Sequence, residues 1–150
     1  MGEKIKIIDF VNNQLKERYK SFVVFGPAMS GKSKLARKLA EKTESLYIDL
    51  LADFLSKPEL SGSIDTFEPQ DLKKYLRNIP FGGKLIVIDN IDFLINTWND
   101  LNKEHFLNFI ERDEFRIGYC FILQAAKFLR DRRIENSIGQ NRVLNIYNVE

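Results

Sequence analysis

The sequence is poor in the residues that build covalently or metal-stapled folds. One cysteine, Cys120, and one histidine, His105, stand among 150 residues, so neither a disulfide framework nor a zinc site of His/Cys spacing can be assembled. Cys120 lies inside an apolar run and reads as a buried thiol of a reducing compartment; His105 reads as a helix-surface residue. No apolar stretch approaches the roughly 20 residues needed to cross a bilayer. Acidic residues in "MGEKIKIIDF" are wrong for a secretory leader, so a cytoplasmic protein with no membrane partner is expected. An excess of one charge is missing too. With 23 Lys and Arg against 21 Asp and Glu, the net charge is +2, too small to imply nucleic-acid binding by itself. The exception comes late, where Arg130, Arg132 and Arg133 cluster in "LRDRRIE".

What is present is a globular composition, 44% hydrophobic with 12 Phe, in a chain long enough to bury roughly 70% of its unfolded surface without staples. There is no internal repeat, low-complexity segment or linker, so residues 1–150 are expected to form one domain. A leading amphipathic helix is predicted over 3–20, with Ile5, Ile8, Val11, Leu15 and Tyr19 on one stripe, followed by a core over 21–150. In that core "SFVVFG", "SLYIDLL", "KLIVIDN", "GYCFILQAA" and "RVLNIYNV" read as buried strands. "KSKLARKLAEK", "PQDLKKYLRNI", "LNKEHFLNFIER" and the basic "KFLRDRRIENS" read as helices, and 55–69 as a polar connector. Alternation of this kind predicts an α/β fold, a three-layer sandwich with a five-stranded, mainly parallel sheet. Ligands in such sheets bind beyond the carboxyl ends of the strands, where Gly26–Ser33, Asp89 and Gln124 would meet.

The stretch "GPAMSGKS" gives that edge its chemistry. Gly26, Gly31, Lys32 and Ser33 match G-x-x-x-x-G-K-S/T, a pattern that arises by chance in a chain this long with a probability of roughly half a percent, and it lies between a strand and a helix as a phosphate loop must. The glycines free main-chain N–H groups for phosphate oxygens, Lys32 would bridge the β- and γ-phosphates, and Ser33 would place its hydroxyl on Mg²⁺. Pro27, Ala28, Met29 and Ser30 are the free positions, and Lys34 completes the binding run. Asp89, closing "LIVID", is the expected metal-side carboxylate, with Asp49 as a weaker rival. Asn90 then stands where a second acid would polarise the attacking water. Asp92 is a candidate substitute or a helix cap, and Gln124 a candidate sensor of the γ-phosphate. The arginine cluster reads as a solvated face, a DNA-backbone contact, or an arginine finger inserted into a neighbour's site.

"VIDNIDFLI", together with "GPAMSGKS" and arginines before the last strand, resembles the AAA+ ATPases, especially the branch of bacterial replication initiators and helicase loaders. The resemblance matches Lys32 and Ser33 to Walker A, Asp89 to Walker B, Gln124 to sensor 1, and Arg132 or Arg133 to the arginine finger. Asn90 departs from the pattern, and the sequence stops where those families continue into a helical lid. In size the chain also resembles the small P-loop proteins of BREX phage-defence systems. What these resemblances imply is ATP and Mg²⁺ as cofactors, weak ATPase activity, a homo-oligomer, protein partners from the same defence or DNA-processing system, and DNA as a further partner. A catalytically silent nucleotide-dependent scaffold and a small-molecule P-loop kinase are the alternatives.

Overall fold

Runs dense in branched and aromatic side chains become the strands. The computed structural model describes residues 4–124 and 127–150; Glu3, in the expected first helix, and Ala125 and Ala126, at the end of the expected fourth strand, lie outside the described residues. The strands are β1 (Phe22–Gly26), β2 (Leu46–Asp49), β3 (Leu85–Asp89), β4 (Gly118–Gln124) and β5 (Val143–Asn145). They pair in the order β2-β3-β4-β1-β5, every pair parallel. The register sets Gly26 beside Gln124 and Asp49 beside Asp89, so the carboxyl ends of four strands share one edge.

Successive side chains on a strand face opposite ways, and each face is covered. Phe22, Val24, Leu85, Val87, Cys120, Ile122 and Leu144 pack under α1 (Ile7–Gln14) and α2 (Lys32–Lys42). The alternate set, including Val23, Ile86, Ile88, Phe121 and Val143, packs under α3 (Leu50–Ser56), α4 (Pro58–Ser61), α5 (Pro69–Arg77), α6 (Asp92–Ile95) and α7 (Asp100–Arg112). This is the expected three-layer α/β arrangement. The second core is fastened by edge-to-face rings, with Phe106 at 5.0 Å from Phe121 and 5.2 Å from Phe109.

Local side-chain hydrogen bonds explain where the structure departs from sequence expectation. The first helix is only eight residues long, and it buries Ile7, Phe10, Val11 and Gln14 rather than the stripe through Ile5, Ile8, Leu15 and Tyr19. Ile5 is instead bridged to Val149, its N–H donating to Asn148 O at 2.7 Å, and Gln14 Nε2 donates to Tyr19 O at 2.6 Å, satisfying backbone beyond the helix end. The expected strand "SLYIDLL" stops at Asp49, whose carboxylate accepts from Ala52 N–H at 3.0 Å and caps α3. Asp49 is thereby occupied as a helix cap. The expected connector holds part of α3, α4 and a 3₁₀ turn over Ile64–Thr66.

The basic helix over 127–137 does not form. Asn141 Oδ1 accepts from the N–H groups of Ile134 and Val143, Asn136 Oδ1 from those of Ile138 and Gln140, and the Glu17 carboxylate from Ser137. These acceptors offer the backbone partners that a helical ladder would otherwise supply. In the same way Asn145 Oδ1 accepts from Tyr147 N–H, ending β5 after three residues in a 3₁₀ turn over Ile146–Asn148.

At the amino-terminal edge of the sheet Arg142 is only 2% exposed. Its guanidinium donates at 3.0 Å to Ser21 O, Ile110 O and Glu111 O, and at 3.5 Å to Tyr19 O. It joins the starts of β1 and β5 to the last turn of α7, whose carbonyls lack helical partners, and burial pulls its pKa down. Arg142→Ala should lower stability by about 3 kcal/mol, since four buried carbonyls lose a charged donor. Thermal unfolding should register that as a fall of roughly 6–12 °C. Arg142→Lys should recover only part of it, because one ammonium cannot span all four acceptors.

Candidate phosphate and metal site

The loop between β1 and α2 turns through left-handed backbone twice, at Met29 (φ 61°) and Gly31 (φ 88°). Gly31 is the N-cap of α2 and has no side chain to satisfy the helix's first N–H groups; no atom lies within 4 Å of where its Cβ would stand. The 11-residue helix therefore begins without a side-chain cap, which leaves its positive end suited to an anion. Lys32 Nζ donates to Pro27 O at 2.6 Å, lying across its own loop. Ser33 is half-buried, while Pro27, Ala28, Met29 and Lys34 are exposed. Ser30 Oγ is buried without a hydrogen-bond partner among the described residues.

Gly26 has a different reason for being glycine than the backbone freedom expected of it. Its φ is not positive; a Cβ there would stand 2.4 Å from Ile146 Cγ2 and 2.9 Å from Ser30 Oγ. The turn after β5 packs so closely on the loop's first residue that no side chain fits.

Two strands away, beyond β4, Asp89 is 3% exposed. Its position in the pleat gives it the same parity as Leu85 and Val87, on the α2 face. Oδ1 accepts from Asn90 N–H at 2.9 Å and Oδ2 from the Tyr47 hydroxyl at 2.6 Å. Burial, helped by the Asp89 bond, pushes the Tyr47 phenol up to about 12. The Arg37 guanidinium stands 5.4 Å from the centre of the Tyr47 ring. Asn90 has φ 55°, a left-handed conformation that Asn tolerates better than a longer acid. The backbone thus disfavours Glu at this position, though not Asp.

Asp92 does not cap a helix through its side chain; Oδ1 accepts from the backbone N–H of Gln124 at 2.8 Å, tying the end of β3 to the end of β4. Burial raises the pKa of this carboxyl, the Gln124 N–H and the Lys32 charge oppose that, and Asp89 adds to it. Lys32, Asp89, Asp92 and the Gln124 backbone therefore belong to one cluster, with the Gln124 side chain exposed beside it. The arginines are engaged elsewhere. Arg132 pairs with Glu104 of α7, and Arg133 donates to Glu135 Oε1 at 2.8 Å and Gly139 O at 2.7 Å. Lys127, Arg130 and Arg132 line a cavity of about 490 Å³ over Phe25 and Val143, to which no residue of the loop contributes.

Cys120 is fully buried, and burial drives its thiol well above the ordinary range, which fits an inert core residue. His105 is exposed on α7. No helix among the described residues is long and apolar enough to cross a membrane. Among the same residues no three His, Cys, Asp or Glu side chains gather as a metal centre. The donor set that exists, a hydroxyl and a carboxylate beside a phosphate loop, fits Mg²⁺, which takes few protein ligands and completes its shell with phosphate oxygens and water. No protein-family model matches this chain, and no curated protein matches it. The sequence pattern singled out the loop, Asp89 and Asp92 but not Tyr47 or Ile146, whose contacts depend on register and on a turn whose packing no local motif encodes.

Gly26→Ala should destabilise the fold by about 1–3 kcal/mol through overpacking, and adding Ile146→Ala should relieve part of that loss, measured as a double-mutant cycle in denaturant. Asp92→Asn keeps an acceptor for the Gln124 N–H and removes a buried charge. Because the folded pKa of Asp92 is raised, wild-type stability declines as pH climbs past the ordinary carboxylate value of about 4. The variant's melting advantage should therefore be smallest below that pH and open above it.

Proposed function

We propose that this chain binds ATP with Mg²⁺ as an AAA+-like module of low intrinsic turnover, and that it self-associates within a DNA-directed complex such as a phage-defence system. The observation that carries the reading is the pairing of a left-handed loop and an uncapped α2 N-terminus with a buried carboxylate two strands away, at the carboxyl edge of the same parallel sheet. In this reading the N–H groups of Gly26 and of residues 28–34, together with the Lys32 ammonium, hold the β- and γ-phosphates. Lys32 leaves Pro27 O to do so. Ser33 and Asp89 hold Mg²⁺, which when bound neutralises charge developing on the phosphate oxygens.

The attacking water needs a base or an orienting group. Asp92 is the acid proposed for that role, its carboxyl raised above the ordinary range by burial, and Gln124 orients water from the adjoining strand end. Arg132 and Arg133 act in trans, exchanging Glu104 and Glu135 for the γ-phosphate held by a neighbouring copy. One oxygen of Asp92 is already committed to the Gln124 N–H, and Asn90 adds no acid. That arrangement favours a second reading, a nucleotide-dependent scaffold without turnover.

Lys32→Ala should weaken ATP binding roughly 10- to 100-fold, the loss of one charge-assisted contact; unchanged affinity would remove the phosphate-site assignment. Phosphate release should be slow in the wild type and rise with protein concentration as copies meet. Protomers carrying Arg132→Ala and protomers carrying Lys32→Ala should regain activity when mixed if sites are shared. Release at no concentration, together with nucleotide-dependent assembly in a sizing experiment, would favour the scaffold.

A further inference from the structure

The proposed metal-side carboxylate is oriented but electrically incomplete. Asp89 is 3% exposed, and an ionised carboxylate has about four acceptor positions. Among the described residues two hydrogen bonds reach it, one to each oxygen, from Asn90 N–H and the Tyr47 hydroxyl. Both donors are neutral, and no ion pair to Asp89 forms among the described residues. Acceptor positions on both oxygens therefore stay unpaired among the described residues, and a cation is a partner that would fill them.

The two donors differ in what they can fix. Asn90 N–H belongs to the adjacent peptide and restrains Oδ1 only locally. Tyr47 comes from another strand, β2, and its hydroxyl pins Oδ2 across the sheet, on the face that also carries α2. Its ring is held in turn, between the core under α1 and α2 and the Arg37 guanidinium one helical turn beyond Ser33.

We propose that Tyr47 is a positioning residue for the divalent cation, its hydroxyl holding the Asp89 carboxylate so that the remaining acceptor position on each oxygen is available on the α2 side of the sheet. The inference rests on the reading of Asp89 as the metal-side carboxylate. Outer hydrogen bonds of this kind fix the orientation of a ligating carboxylate, and their loss costs about 10- to 100-fold in metal affinity. Tyr47 touches neither phosphate nor base in this account, so its removal should leave metal-free nucleotide binding alone.

The test is a titration of wild type and Tyr47→Phe with a fluorescent ATP analogue, in EDTA and across a series of Mg²⁺ concentrations, with melting midpoints recorded in EDTA. The phenylalanine fills the same space but leaves Oδ2 without its donor, so the midpoint should fall modestly while the EDTA affinity matches wild type. The Mg²⁺ concentration giving half of the metal-dependent gain should rise about tenfold. An unchanged or lower Mg²⁺ requirement overturns the proposal, as does an equal loss of affinity in EDTA, which would make Tyr47 merely structural. If wild type itself shows no Mg²⁺ response, the Asp89 reading fails and the inference falls with it. A wild-type response that the variant reproduces removes Tyr47 alone.

Discussion

Side chains alternate across a parallel sheet, and because all the strands described here run the same way, a single parity decides which helical layer each residue meets. That constraint fixes the candidate site. Val87 and Asp89 share a face, so a strand that buries Val87 under α2 delivers its terminal carboxylate to the side from which the phosphate loop enters its helix. Tyr47 obeys the same parity on β2, which is how a residue 42 positions earlier reaches Asp89. A slip of one residue in β3 would turn Asp89 into the aromatic core beneath α7 and carry Ile88 to the other face.

The ionisable groups at the carboxyl edge have few partners among the described residues. Asp89 is bonded only by neutral donors, Asp92 is pushed toward its neutral form, and Lys32 rests on a carbonyl of its own loop. Each of these is a compromise that a bound polyphosphate with its cation would resolve. The arginines are settled already, in pairs with Glu104 and Glu135 at the surface. Exposed pairs of this type hold weakly, by about 1 kcal/mol or less, so exchanging one carboxylate for a phosphate is energetically accessible.

How much of this was legible in the sequence follows from the range of the interactions. The strands were readable because each is a continuous apolar run, and the loop because its spacing and context are local. The arrangement of Asp89 and Gln124 at one edge followed from alternation alone. Where short polar side chains capture backbone N–H groups, propensity misled: Asn136 and Asn141 dismantle an expected basic helix, and Asp49 turns an expected strand into α3. Arg142 gave no signal, since a buried guanidinium held by carbonyls requires three distant segments to meet. Tyr47 was invisible for the same reason, its meaning set by register rather than by its neighbours in the chain.

The contact between Gly26 and Ile146 links the two ends of the sequence through a space too small for one methyl group. In evolutionary terms the two positions form a unit with a required order of change. A side chain can enter at 26 only after 146 has shrunk, while 146 can shrink freely first. Variation among sequences of this kind should therefore be asymmetric, with small residues at 146 accompanying either choice at 26 and large ones accompanying glycine alone.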